Sequence, residues 1–491
     1  MKADTSANLS SAYGISVMSP STAGQNPFTI PNRGGVSFMT TGGSGPITVG
    51  HARIRPNLGS ITPAGLAIFG SRQNGALVSE ATVPSSAPVQ SGRIYVEVGG
   101  DVTTGLAIAN PNSTIANVSF YFTDQNGVNF GSRTTTIPAN GQIAAFLNEA
   151  PFYGGVSVSG TFTFSSDVPV AALALRGLNN ERSEFLWTTL PVSPLVAPSA
   201  VPLVFPNFAD GGGWTTQFVL VNPTDVAMSG TLQFYAQGSA TAAAAPVEVT
   251  LEGETGSTFA YSIPPRSSRN LRTSGSGSSI LVGSVRVVPA ANSRTPSGVG
   301  IFSQKNAAGM TISEAGVPIT PPAQAVRLYA EASRDSSQIQ TGIAIANTAA
   351  SAVDVTLELN TLTGNSIGLT GMLSVPGNGQ VQMFLNQIPG FENLPAPFQG
   401  VLRISTTASR GVSVVGLRSR YNERNEFLIT TTSPVNESST PISTDLLFPH
   451  LADGGGFATQ FVLFSGSSAQ TASGTLQFFT QGGQTLNLTL R

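Results

Sequence analysis

The chain has 491 residues with 54 Gly, 33 Pro, no Cys, two His, a formal net charge of −2 and only 10% charged residues. That composition excludes disulfide scaffolds, thiolate metal sites and Cys nucleophiles, and it leaves little room for imidazole catalysis. Two lysines (Lys2 and Lys305) and scattered arginines do not make the cationic patch that nucleic acid requires, so no nucleic-acid partner is expected.

An apolar fraction of 40% is enough to build cores. No run of 18 apolar residues occurs, so no transmembrane segment is expected. The opening MKADTSANLSSAYG has no apolar stretch of the signal-peptide kind. Surface polarity must come mainly from Ser, Thr, Asn and Gln, which together with the lack of Cys suits an extracellular or cell-surface protein that does without disulfides.

In chain order, residues 1–90 carry ITVGHARIRP from Ile47 and GLAIFGSRQN from Gly65, which reappear as ILVGSVRVVP from Ile280 and GVGIFSQKN from Gly298. This first stretch is therefore the second half of a module, type B. Residues 91–197 are a full module of a second type, A. Val118, Phe120 and Phe122 alternate with Asn117, Ser119 and Tyr121, the period of a half-buried strand, and Asn126-Gly127 follows as a hairpin turn. Further strand-like runs begin at Arg133, Gly141, Val158, Val168 and Glu184, about seven short strands in all by the usual spacing of turn signals. Residues 198–322 are a full B, residues 323–440 a second A, and residues 441–491 the first half of another B.

The repeat is explicit. FPNFADGGGWTTQFVL from Phe205 returns as FPHLADGGGFATQFVL from Phe448, and NERSEFLWTT from Asn180 returns as NERNEFLITT from Asn422. The A and B halves are weakly alike as well: Asn110-Pro111 corresponds to Asn222-Pro223. Proline-rich linkers from Pro191 and Pro318 read as stiff and extended. A parallel β-helix would repeat one coil at a time, every 20 to 30 residues or so, which does not fit modules of this size. The expected fold is all-β, a tandem series of immunoglobulin-like β-sandwich modules of two alternating types.

FADGGGWTTQFVLVNP, YSIPPRSSRNLRTSG from Tyr261 and RYNERNEFLITTT from Arg420 resemble repeats in uncharacterised exported bacterial proteins with tandem immunoglobulin-like β-sandwich modules. The resemblance covers nearly the whole chain. It implies a secreted or surface multi-module protein and no particular substrate or cofactor.

Two motifs are candidate interaction sites. The Ala-Asp-Gly-Gly-Gly loop sets Asp210, and Asp453 in its copy, beside flexible glycines. Calcium wants six to eight oxygens, and no second acid lies nearby in sequence, so a tight turn with the Asp bonding its own backbone is the preferred reading. The Asn-Glu-Arg-x-Glu-Phe motif gathers Glu181, Arg182 and Glu184, and Glu423, Arg424 and Glu426 in its copy. Paired carboxylates can perform acid–base work on a glycosidic bond. Presence in both A modules suits a salt-bridged loop that positions a neighbouring module better. His51 and His450 face Ser284 and Asn207 in the repeat and read as surface or linker residues. No catalytic, cofactor or metal residues are assigned.

The two terminal half-modules complement one another. The expectations, in order of preference, are a fragment of a longer repeat protein, a head-to-tail polymer in which halves pair between chains, and closure within one chain. Unpaired halves would expose strand edges. The expected function is non-enzymatic: a structural or adhesive protein, a rigid rod at the bacterial surface or in its matrix. The alternatives are a filament subunit assembled through its own terminal halves and a carbohydrate-binding array using Trp187 and Trp214. The partners to expect are accordingly other copies of the chain, or surface glycans and proteins.

Overall fold

The computed structural model describes residues 24–491 apart from 197, 240, 336 and 468. Among these the chain is all-β, with antiparallel sheets and a single short 3-10 turn, Leu385–Gln387, as its helical element. No helix is long and apolar enough to cross a membrane among the described residues.

The alternation read from sequence is what buries the strands. In Ala116–Asp124, Val118, Phe120 and Phe122 point into the core while Asn117 and Ser119 face out. In the second A module, Val353–Thr361 buries Val355, Leu357 and Leu359 in the same way. The Asn126-Gly127 turn forms with Gly127 at φ +83°, and the Asp124 carboxylate accepts from the Asn126 and Val128 N–H groups. The runs from Val158 and Val168, read as two strands, are one strand, Val158–Asn179. Its first part pairs with Val89–Val98 and Ala116–Asp124 and its second part with Val102–Ala109 and Phe185–Leu190, so it passes from one sheet of the sandwich to the other.

The repeated Asn-Pro has a structural reason. Buried Asn110 donates its amide to the carbonyls of Thr114, Ile137 and Pro138. Asn222 does the same to Val226, Ile263 and Pro264, and Asn347 to Ser351, Val375 and Pro376. One side chain thus satisfies carbonyls where a strand end meets a turn, in both module types.

The intact B module has two four-stranded sheets. One runs Leu203–Asp210, Leu281–Pro289, Met228–Tyr235, Thr258–Ile263; the other runs Ser268–Arg272, Trp214–Val221, Ser297–Lys305, Thr311–Pro318. The two ends of the chain build the same sandwich. Gln25–Ile30 pairs with Ala472–Thr480, which pairs with Thr48–Pro56, which pairs with Leu446–Asp453. Gly35–Met39 pairs with Phe457–Phe464, and that with Ala64–Gln73 and Ala76–Pro84. The core of this composite module mixes both ends: Phe28, Ile30 and Phe38 pack with Phe448, Phe461 and Phe478. Closure within one chain, the least favoured expectation, is therefore the arrangement found. The strand edges that pairing between chains would need are occupied.

The expectation of a rod also gives way. The four sandwiches form a closed ring in which each module touches the next. The strands Ala76–Pro84, Phe185–Leu190, Thr311–Pro318 and Phe427–Thr432, one from each module, pack around the middle. Repeat-equivalent hydrogen bonds join them: Trp187 N–H donates to Ser79 Oγ and Thr189 Oγ1 to the Thr82 carbonyl, while Ile429 N–H donates to Ser313 Oγ and Thr431 Oγ1 to the Gly316 carbonyl.

Candidate functional site

Two repeated sets of charged residues in this charge-poor chain meet at junctions between modules. Residues 180–184 and 422–426 form tight turns after the strands Val158–Asn179 and Ser413–Tyr421, with Asn180 and Asn422 folding the turn by accepting backbone N–H bonds two and four residues on. Ser183 and Asn425 take the left-handed conformation that the turn demands, at φ +59° and +57°. The turn aims its three charges in two directions.

Toward the middle of the ring, Arg182 donates two parallel bonds to Glu426, 2.5 and 3.1 Å long, and Arg424 donates two to Glu184. Each arginine also bonds the glutamate of its own turn, Arg182 to Glu184 and Arg424 to Glu426, both at 3.0 Å. The four side chains close a cycle between two motifs 242 residues apart in sequence. Burial pushes the Glu184 and Glu426 carboxyls up, but the bonds from the opposite arginine and from Asn180 or Asn422 outweigh it and hold both below the usual carboxylate range. Both oxygens of each carboxylate are engaged by N–H donors, so the pair is held ionised and is not presented to a glycosidic oxygen.

Away from the middle, Glu181 accepts from Lys305 Nζ at 2.6 Å and from Thr311 N–H at 2.7 Å, clasping the last hairpin of the intact B module. Glu423 does the same to Arg72, at 2.6 Å, and to Leu77 N–H, at 2.8 Å, in the composite module. Burial works against both, but these bonds take each carboxyl down to about 2. All six residues singled out in this motif thus serve contacts between modules.

A second set of charges was missed from sequence. Buried Arg176 bonds Glu97 in its own module and Glu314 in the intact B module. Arg418 repeats this with Glu331 and with Glu80 of the composite module, which Arg420 also reaches. The signal was present: Ser-Glu-Ala stands at 79–81 and again at 313–315, and an arginine precedes each Asn-Glu-Arg motif. A glutamate repeated on an otherwise apolar strand, in a chain so poor in charge, marks a buried partner.

The other candidate motif is local. Asp210 accepts the Gly275 N–H at 2.8 Å, and Asp453 the Gly42 N–H at 2.9 Å. The carboxylate therefore ties down a distant glycine-rich loop and not, as expected, its own backbone. Gly211, Gly212 and Gly213 adopt φ of +82°, +58° and +90°, and a Cβ on Gly211 or Gly213 would meet backbone atoms at 2.5 and 2.4 Å. Among the described residues no group of three or more His, Cys, Asp or Glu is placed to hold a metal ion.

Neither histidine is a free surface residue, although His450 is only half-buried. His51 is fully buried and stacks on Phe479 at 5.2 Å, and burial, then Arg53, lowers it to about 3. His450 sits at the junction of the composite module with the first A module, where Gln142 Nε2 lies 3.3 Å from its Nδ1, and burial lowers it to about 4. Asn207, its repeat counterpart, takes the same place and accepts from Gln380.

No family model and no curated protein matches the chain. Among solved structures, the chain is similar to that of the infectious bursal disease virus Gx strain, with 9% identity over 92% of this chain and 83% of that one at a TM-score of 0.13. The VP2 subviral particle of the same virus gives 11% identity over 95% and 84%, at a TM-score of 0.11. At such scores these similarities carry no argument about fold or function.

Proposed function

We propose that this chain is a non-enzymatic structural or adhesive protein of the bacterial cell surface or extracellular matrix, built as a rigid ring of immunoglobulin-like sandwiches. The observation that carries the reading is the use made of its charges. Glu181, Arg182, Glu184 and their copies, together with Arg176 and Arg418, are spent on fixing modules to one another. Ionic contacts of this kind at internal junctions give a fixed shape, which is what a scaffold needs. Assembly by exchange of terminal halves has less support, because those halves already pair within the chain.

Immunogold labelling of intact source cells, with negative-stain microscopy of the purified protein, tests this reading. Surface label and compact four-lobed particles are expected. Label confined to the cell interior, or extended rods, would overturn it.

A further inference from the structure

The two A modules correspond strand by strand, and on one face they differ in charge. In the second, Arg327, Arg403 and Glu358 stand in a row across neighbouring strands, and Glu437 follows the short strand Val435–Asn436 beside Arg327. Glu437 accepts from Arg327 Nη2 and from Arg403 Nε, both at 2.7 Å, and Glu358 accepts from Arg403 Nη1 at 2.8 Å. In the first, the same row reads Arg93, Thr163 and Tyr121, and Leu195 takes the place of Glu437. One arginine is kept and both carboxylates are gone.

Arg93 holds the pose of its twin. Its Nη1 donates to the carbonyl of Asn222 in the intact B module, as Arg327 Nη1 does to that of Ser465 in the composite one. Its Nη2, the atom that Glu437 holds in the twin, bonds Tyr121 Oη at 3.3 Å. All three of its bonds go to neutral oxygens, and the residue is 2% exposed. Asp225, across the junction, pairs with Arg266 instead. A buried cation with no opposite charge is costly, so this one favours an anion brought from outside.

There is room for one. A groove of about 620 Å³ opens here, lined by Leu195, Tyr121, Thr163, Thr134, Arg133, four serines and two phenylalanines, with no acid among them. Arg133 is exposed and lies over the Tyr153 ring at 5.3 Å, which leaves a second guanidinium facing solvent at this groove. The hydroxyl-rich lining suits a ligand with hydroxyls of its own. Asp167, in the adjoining hollow, is taken up by the Asn117 N–H and Nδ2 at 2.8 and 2.6 Å.

We propose that this groove binds a carboxylate carried on a hydroxyl-rich molecule, the chemistry of a uronic acid, with the carboxylate seated toward Arg93 where the twin module places Glu437. Guanidinium groups match carboxylates in shape and charge, and the twin shows the arginine making that pair. The inference does not rest on the scaffold reading.

D-Glucuronate serves as the probe in a saturation-transfer NMR titration of the full chain. D-Glucose lacks the carboxylate, acetate lacks the hydroxyls, and inorganic sulfate tests for an unselective anion site. Glucuronate is expected to bind saturably, with each of the three at least about tenfold weaker. Leu195→Glu, which installs the twin's own carboxylate, is expected to abolish binding and to raise thermal stability, because Arg93 gains its partner. Arg133→Gln, at an exposed position, is expected to weaken binding severalfold without loss of stability. No saturable binding, equal binding of glucose, acetate or sulfate, or undiminished binding in either folded variant would overturn the proposal.

Discussion

Arg182 and Glu426 lie 244 residues apart in sequence and meet through two parallel hydrogen bonds, and Arg424 returns the same grip to Glu184. The relationship is reciprocal because the motif occurs twice in a ring whose two A modules face each other. The exchange links opposite modules directly and bypasses the B modules between them.

This grip predicts strong coupling. Arg182→Ala and Glu426→Ala should each destabilise the protein, and the double variant should cost less than the two together by about 1–2 kcal/mol. The Arg side chain is 28% exposed, which keeps the figure modest. Urea titrations of the three variants and the parent measure it, and strict additivity would deny the pair any role in closing the ring.

The buried arginines should matter more. Arg176→Met leaves Glu97 and Glu314 without their cation, in a place where Glu314 is only 1% exposed. Such a broken buried pair costs about 3–5 kcal/mol. Arg418→Met should behave alike, and Arg176→Met with Glu314→Met should recover much of the loss. Thermal unfolding of the three proteins tests this ordering.

Acid should weaken the fold in two stages. His51 and His450 are depressed from 6.5 to about 3 and about 4, so the unfolded chain binds protons that the folded one refuses. Their contribution is complete above pH 6.5 and falls as pH drops, by about 2 kcal/mol each at pH 5. Glu181 and Glu423, at about 2, add a loss that begins below the ordinary carboxylate value of 4.5. Substituting His51→Ser and His450→Asn, the residue types of the repeat counterparts, should flatten the fall between pH 6.5 and 5 and leave the lower stage in place. Stability measured against pH in parent and double variant decides it.

Closure within the chain predicts a monomer in light scattering. Deleting residues 441–491 removes three strands of the composite sandwich and bares apolar edges at Gly35–Met39 and Ala64–Gln73. That deletion should aggregate or unfold the composite module, and supplying 441–491 as a separate polypeptide should restore solubility. Full-length oligomers that vanish on the deletion would instead favour pairing between chains.

The Asp-Gly-Gly-Gly loop should respond to its hydrogen bond and not to calcium. Asp210→Asn keeps an acceptor for Gly275 and should change little, whereas Asp210→Ala should cost about 1 kcal/mol. Thermal shift measurements with and without added calcium check both halves of the statement.

Much of the fold was legible because its signals are local. The alternation of Val118, Phe120 and Phe122 specifies a strand with one buried face, and Asn126-Gly127 specifies the turn that follows. The candidate charges were legible as a cluster, yet their partners were not. Nothing in the spacing of Asn180 to Glu184 says that Arg182 will meet a glutamate 244 residues away. His450 misled for a related reason: its substitution by Asn207 in the repeat suggested a free surface position, although both residues take the same place at a junction, His450 half-buried and Asn207 buried.

By itself the sequence determined the all-β class of the units, because strand periodicity and turn chemistry are written over a few residues and the repeat copies them. Only the tertiary structure decided how the units are arranged. Rod or ring depends on the angle at each junction, and that angle is set by contacts such as Arg176 with Glu314 and Trp187 with Ser79. These join residues far apart in the chain, and their geometry exists only after the sandwiches have formed.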